Sequence, residues 1–239
     1  MRIDVLTIFP GMFPPVLGSS ILARAAKKRV LRVRVHDLRD WSRAKHRKVD
    51  DRPYGGGPGM VMRAEPFFLA VEDLKKRYDV PKGPSVRRTG VRSARPHVVL
   101  LSPQGERLTQ RKVEALAKKP WLILLCGHYE GVDERVREKL SDEELSIGDY
   151  VLTCGELPAM VLIDSVARLL PGALGDEQSA ADESFSGNLL EYPHYTRPAD
   201  FRGMRVPDLL LSGDARRVAE WRRLQSLRRT RSRRPDLIR

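Results

Sequence analysis

The sequence predicts an α/β fold, a parallel sheet with helices on both faces, followed by a small helical C-terminal domain. Three observations carry this. Short apolar runs alternate with helically spaced stretches over the first 170 residues, Gly- or Pro-containing turns follow several of those runs, and the composition changes sharply after residue 186. The expected division is therefore a main domain over 1–170, a linker over 171–186 and a second domain over 187–239, a reasonable partition for 239 residues.

Met1 to Phe9 reads as a strand, Ile21 to Lys28 as an Ala/Lys-rich helix and Leu31 to Val35 as a second strand, which together make a βαβ opening. Pro66 to Tyr78 has helical spacing at Phe68, Val71, Leu74 and Tyr78. His97 to Leu101 and Trp121 to Cys126 are short apolar runs on either side of a helix at Gln110 to Ala117. In a parallel sheet ligands bind beyond the carboxyl ends of the strands, so the loops after Leu101 and Cys126 are where chemistry is expected. Gly155-Glu156-Leu157-Pro158 opens a further helix whose apolar face is Ala159, Leu162, Ile163, Val166, Ala167 and Leu170. Asp164 and Arg168 stand four apart on another side of it, the spacing of an ordinary surface ion pair.

Charge narrows the class of partner. There are 44 Lys+Arg against 31 Asp+Glu, a net charge of +13, and the pI is about 10.1. This favours a polyanion, with solubility alone as the plainer explanation. The charge is concentrated. Arg216 to Arg234 holds nine arginines and one acid, Glu220, with a thin apolar stripe of Val218, Trp221 and Leu224 behind an Asp214 N-cap. A membrane-surface helix would need a broader stripe, whereas guanidinium groups pair with phosphates and stack on exposed bases, so RNA is the favoured partner. Lys82 to Arg95 reads as a basic surface loop, and Pro171 to Ser186, rich in Gly, Ala, Ser and acids, as a linker. Two cysteines, Cys126 and Cys154, make no disulfide framework and no zinc pattern. The apolar start is too short for a signal or membrane helix, so the expected compartment is the cytoplasm and no membrane is expected as a partner.

The segment Asp50 to Met60 contains four glycines but lacks the ending of a Walker loop and the spacing of a dinucleotide fingerprint. Leu101-Ser102-Pro103-Gln104-Gly105, Cys126 to Arg135 and Ser146 to Leu152 each place small residues after an apolar approach, where backbone groups can face a ligand. Singly, each is also an ordinary strand-to-helix turn, and His128 or Cys126 taken alone reads as packing.

Taken in order, these segments closely resemble the bacterial tRNA (guanine-N1)-methyltransferases of the SPOUT class. So do the Gly55 to Met60 loop, Gly155-Glu156-Leu157-Pro158-Ala159-Met160, Pro193-His194-Tyr195-Thr196-Arg197-Pro198 and the ending from Trp221-Arg222 to Leu237. The resemblance spans nearly the whole chain. It implies a deep trefoil knot in the catalytic domain, a rare exception to the avoidance of knots, and methyl transfer from S-adenosylmethionine to N1 of guanosine 37, 3′ of the anticodon in tRNA. It also implies a homodimer with a shared active site.

By that resemblance the methyl donor is held by Leu101, Ser102, Pro103, Gly127, Tyr129, Ile147, Gly148, Asp149, Tyr150, Val151, Leu152, Gly155 and Pro158. Arg168 stabilises charge developing at O6, Glu130 and Glu183 are the acidic candidates, and Mg2+ is an accessory to proton transfer that the family's behaviour suggests. The family's base is usually an Asp directly before Ser-Phe. Here Glu183 precedes Ser184-Phe185, one methylene longer, with Asp182 beside it. Cys154 stands where the family commonly has glycine, and the Lys82 to Arg95 segment looks longer than the family's usual connection. A non-catalytic RNA-binding protein on the same fold, and a SPOUT enzyme that methylates another RNA atom, are the competing expectations.

Overall fold

A computed structural model describes residues 1–79, 95–174 and 183–238. The chain divides into two compact units, Met1–Gly175 and Asp176–Arg239. The greater part of the Lys82 to Arg95 segment, the linker from 175 to 182 and the alternative base Asp182 lie outside the described residues.

The first unit is built on five strands: β1 (Arg2–Thr7), β2 (Arg32–Asp37), β5 (His97–Arg107), β6 (Trp121–Cys126) and β7 (Glu143–Ser146). They lie in the order β2-β1-β6-β5-β7, and every pairing is parallel. Alternate residues of each strand point to opposite faces, as the pleat requires. On one face Ile3, Val5, Val99, Leu101, Leu122, Leu124 and Cys126 pack with residues of α2 (Ser20–Lys27), α4 (Gln110–Ala117) and α6 (Glu156–Arg168). On the other, Leu6, Val98, Leu100, Trp121, Ile123 and Leu125 pack with α3 (Ala64–Asp79) and α5 (Glu134–Lys139). A sheet buried on both faces explains why β6, Trp-Leu-Ile-Leu-Leu-Cys, is apolar throughout and fully buried. The apolar face expected of α6 is buried, including Ala159, Leu162, Ile163, Val166, Ala167 and Leu170.

Two elements differ from expectation. The chain does not turn away at Leu101. β5 continues to Arg107, with a register shift against β7 between Leu101 and Glu106, so Ser102 to Gly105 form a bulge rather than a free loop. β7 itself was not expected, because Glu143 and Glu144 break its apolar pattern. Glu143 is held instead by Lys112 and His97 at the sheet edge. Short additions, a strand pair of β3 (Asp50–Asp51) and β4 (Val61–Met62) and the one-turn α1 (Pro14–Leu17), complete the unit.

At the amino-terminal edge of the sheet, buried Asp4 of β1 accepts hydrogen bonds from Trp121 Nε1 of β6 at 2.8 Å and from Arg2 Nε at 2.5 Å, and bonds His36 Nε2 of β2 at 2.8 Å. Burial opposes its ionisation, but the contacts with His36, Arg2 and Trp121 outweigh burial and hold its pKa below the ordinary carboxylate value.

The second unit holds a two-stranded ribbon of β8 (Asp200–Phe201) and β9 (Met204–Arg205), then α7 (Asp208–Leu211) and α8 (Ala215–Arg233). Asp214 caps α8 as expected, accepting from the Arg217 amide at 3.1 Å. The apolar stripe is not its buried side, however. Val218 and Trp221 are half-buried and Leu224 is 49% exposed, while the buried positions are Ser226 and Thr230. Thr230 Oγ1 donates to the Ser226 carbonyl at 2.7 Å and accepts from the Leu190 amide at 2.8 Å, which fastens the segment before the ribbon to the helix.

Two stability outcomes follow. A Cβ at Gly105 would sit 2.4 Å from the Leu145 amide nitrogen and 2.5 Å from the Glu144 carbonyl carbon, both backbone atoms that have no room to yield. Gly105→Ala is therefore expected to separate β5 from β7 and cost about 1–3 kcal/mol by urea unfolding. Because the pKa of Asp4 is lowered on folding, its contribution is fully present above about pH 4 and is lost as pH falls through the folded value. Asp4→Asn is expected to lower the urea midpoint at pH 7 and to flatten its decline below about pH 4; a decline as steep as wild type's would remove Asp4 as its source.

Candidate active site at the carboxyl ends of the strands

A cavity of about 230 Å³ opens beyond the carboxyl ends of β5, β6 and β7. Each wall comes from one strand exit, because neighbouring parallel strands deliver their outgoing loops to the same edge. Leu101, Ser102 and Pro103 come from the β5 bulge; Gly127, Tyr129 and Glu130 follow β6. Ile147, Gly148, Tyr150, Val151 and Leu152 follow β7, and Gly155 and Pro158 open α6. Asp149 is the exception among the residues expected to hold a donor. It does not line the cavity, and its exposed carboxylate pairs with Arg107.

One wall of the cavity depends on Gly155 having no side chain. A Cβ there would meet Cys126 Cα and the Gly127 nitrogen at 2.8 Å, and the Gly155 amide donates to the Gly127 carbonyl at 2.8 Å. This lets the start of α6 lie directly on the exit of β6. The adjacent Glu156 is fully buried and accepts from Thr7 Oγ1 at 2.5 Å, and the Phe9 amide donates to the same hydroxyl at 2.8 Å, so the first turn of α6 is also tied to the end of β1. A carboxylate in the first turn suits the positive end of the helix dipole.

Cys126 forms the floor of this contact. Burial pushes its thiol well above the ordinary value, with Glu156 and Cys154 adding to the shift, so it is protonated and packs as an apolar group. The packing role expected of Cys126 agrees with this. His128 differs, since it lines the cavity. Its ring makes edge contacts with Phe9 at 5.0 Å and Tyr129 at 4.6 Å, its backbone bridges Cys154, and its Nδ1 is buried without a protein partner. Cys154 also lines the cavity. Cys154 was missed as a site residue and His128 taken alone read as packing, because one imidazole or thiol after a strand has no signature of its own until the opposing wall is in place.

The glycine-rich loop has a specific neighbour. The Glu130 amide donates to the Met60 carbonyl at 3.1 Å, Met62 to Gly131 at 2.9 Å and Asp133 to Met62 at 2.9 Å, which fastens the loop's end to the β6 exit. Gly59 has φ +74° and lies under Glu130; a Cβ would come within 2.3 Å of Glu130 Oε1. The loop therefore supports Glu130 at the cavity rim, while Tyr54 beyond it is fully exposed.

Of the remaining two candidates, Arg168 does not line this cavity. Arg168 is the last residue of α6. At 1.5 Å per residue it stands roughly 18 Å along the helix from Glu156. Glu183 belongs to the second unit. Among the described residues no three His, Cys, Asp or Glu side chains converge as metal ligands.

The family model described as tRNA (guanine-1)-methyltransferase TrmD matches residues 1–239. Proteins called tRNA (guanine-N(1)-)-methyltransferase from Bacillus cereus (strain AH820), Bacillus anthracis (strain A0248) and Bacillus thuringiensis subsp. konkukian (strain 97-27) are each 56% identical to this chain over 238 residues. The match covers 100% of this chain and 92% of each relative. A cavity at the strand exits together with this full-length match identifies the chain as a member of the tRNA (guanine-1)-methyltransferase family.

Proposed function

We propose that this enzyme transfers the methyl group of S-adenosylmethionine to N1 of guanosine 37, 3′ of the anticodon in tRNA. The observation that carries the reading is the cavity at the carboxyl ends of β5, β6 and β7, whose walls present backbone around Gly127, Gly148 and Gly155. The residues fit the donor. The buried Nδ1 of His128, which lines the cavity, is a polar atom awaiting a partner. When bound, the donor supplies a sulfonium methyl whose carbon–sulfur bond breaks as N1 bonds to carbon. Leu101, Tyr129, Ile147, Leu152 and Pro158 would enclose its apolar parts, and backbone groups of the three exits would take its polar edge.

The chain's own side chains must remove the N1 proton and balance the charge that moves toward O6. Glu183 takes the proton in this scheme, Arg168 donates to O6, and Glu130, braced by Gly59, orients the guanine from the rim. Glu183 rather than Asp182 is assigned because Ser184-Phe185 sets the register.

Arg168 stands a helix length from the cavity of its own chain, which supports an active site shared between two copies. Leu157 and Val161, 44% and 45% exposed, lie on the same face of α6 as Arg168 by their four- and seven-residue spacing, and exposed apolar rows of this kind mark association surfaces. We therefore propose a homodimer, a knotted passage of α6 past the β6 exit, and tRNA gripping by the arginines of α8. Among the described residues no helix is long and apolar enough to cross a membrane, and the cytoplasm, where tRNA is found, is the proposed compartment.

The test is methyl transfer from labelled S-adenosylmethionine to unmodified tRNA with guanine 3′ of the anticodon, against a transcript with adenine there. Product at N1 of that guanine alone is expected, and label on both transcripts or at another atom would overturn the position. Glu183→Gln is expected to lower kcat by about 10²- to 10⁴-fold with donor affinity unchanged in calorimetry; near-normal turnover would move the role to Asp182. Replacing exposed Arg223 and Arg228 by Ala is expected to weaken tRNA binding and to reduce the salt slope by about one for each arginine. An unchanged slope would take that face of α8 out of the RNA interface.

A further inference from the structure

The second unit contains a cavity of its own, about 420 Å³, lined by Tyr192, His194, Tyr195, Arg197, Trp221 and Arg222 among others. Its lining sets aromatic rings and two guanidinium groups, Arg197 and Arg222, beside an aliphatic wall that includes Val206, Leu210, Leu211 and Val218. The Tyr192 and His194 rings lie 4.7 Å apart, and the Arg222 guanidinium sits over the Tyr192 ring at 4.7 Å. Stacking on Tyr192 holds the planar guanidinium flat, which leaves its N–H edges to meet an anion. Among the described residues no carboxylate pairs with Arg222 or Arg197. The nearby acid, Glu191, bonds His194 Nε2 at 2.7 Å. Tyr195 is half exposed, so a ring face is open at the mouth.

An apolar peptide would cover the aliphatic wall but leave the guanidinium groups without a partner. The cleft suits a flat ring attached to a phosphate: a base lies against the tyrosine and tryptophan faces while the phosphate takes the arginine edges. The nine arginines of the 216–234 stretch bring a polyanion to this unit, so the charge of the surroundings agrees with that of the cleft. We propose that this cleft binds one unpaired nucleotide of the tRNA, other than the one that is methylated, by stacking its base on the Tyr195 and Trp221 side and pairing its phosphate with Arg222 and Arg197. The contact is sequence-tolerant, because every base has a π face, and it contributes to holding the substrate rather than to choosing the methylated atom. This rests on the proposal that tRNA is the substrate.

The test compares tRNA methylation kinetics of the full-length wild type with those of Tyr195→Ala, Tyr195→Phe and Arg222→Ala, alongside donor affinity by calorimetry. Tyr195→Ala is expected to raise the KM for tRNA roughly 5- to 150-fold, the range of one lost stacked base, with kcat and donor affinity within about twofold of wild type. Tyr195→Phe keeps the ring and is expected to retain the wild-type KM. Arg222→Ala is expected to raise KM and to reduce the salt slope by about one, whereas Tyr195→Ala leaves the slope unchanged. Wild-type KM in both alanine variants, or equal losses in Tyr195→Ala and Tyr195→Phe, would overturn the cleft assignment. A wild type that methylates no tRNA would instead bring down the substrate proposal on which it rests.

Discussion

The contact between Gly155 and the Cys126–Gly127 exit is the constraint on which the rest of the first unit depends. One missing Cβ allows a backbone hydrogen bond of 2.8 Å and places the start of α6 against the end of the central strand. That placement puts Glu156 against Thr7 and closes the fourth wall of the cavity. It also runs α6 away from the cavity, so Arg168 stands far from the cavity of its own chain. The same short contact thus shapes the cavity and sets Arg168 at the far end of the helix that leaves it.

Rigid and adaptable parts of the site have different origins. The floor is rigid because β6 is buried on both faces and paired on both edges, and its terminal thiol is desolvated and protonated. The rim is built from exits with left-handed or small residues and from exposed Tyr129, Tyr150 and Val151, which have few neighbours to restrain them. A buried floor and an exposed rim differ in how many contacts restrain them. The glycine-rich loop joins the two, since its bonds to the β6 exit carry Glu130 on backbone rather than on a free side chain.

The second unit uses polar burial where the first uses apolar packing. Ser226 and Thr230 are the buried positions of α8, and Thr230 bonds both the helix and the segment before the ribbon. The arginines are therefore free to occupy the exposed faces, and the thin apolar stripe serves the edge of an aromatic cleft. A helix with so little apolar surface gains little from a lipid interface, and its charge has a clearer use against phosphate.

The sequence by itself determined the alternating strand and helix order, the all-apolar β6, the apolar face of α6 and the Asp214 cap, because periodicity and capping are local properties read from neighbours in the chain. Motif order also determined family membership, which the full-length match bears out. Tertiary structure alone decided the order β2-β1-β6-β5-β7, the acidic strand β7 with its Lys112 partner, and the bulge that keeps Ser102 to Gly105 in the sheet. It also decided that His128 and Cys154 line the cavity, that Asp149 faces Arg107 instead, and that Tyr195 and Trp221 share a cleft. The physical reason is that these depend on contacts between residues distant in sequence. Whether a glutamate or a histidine is solvated, paired or buried is set by what the fold brings opposite it, and no local pattern records that.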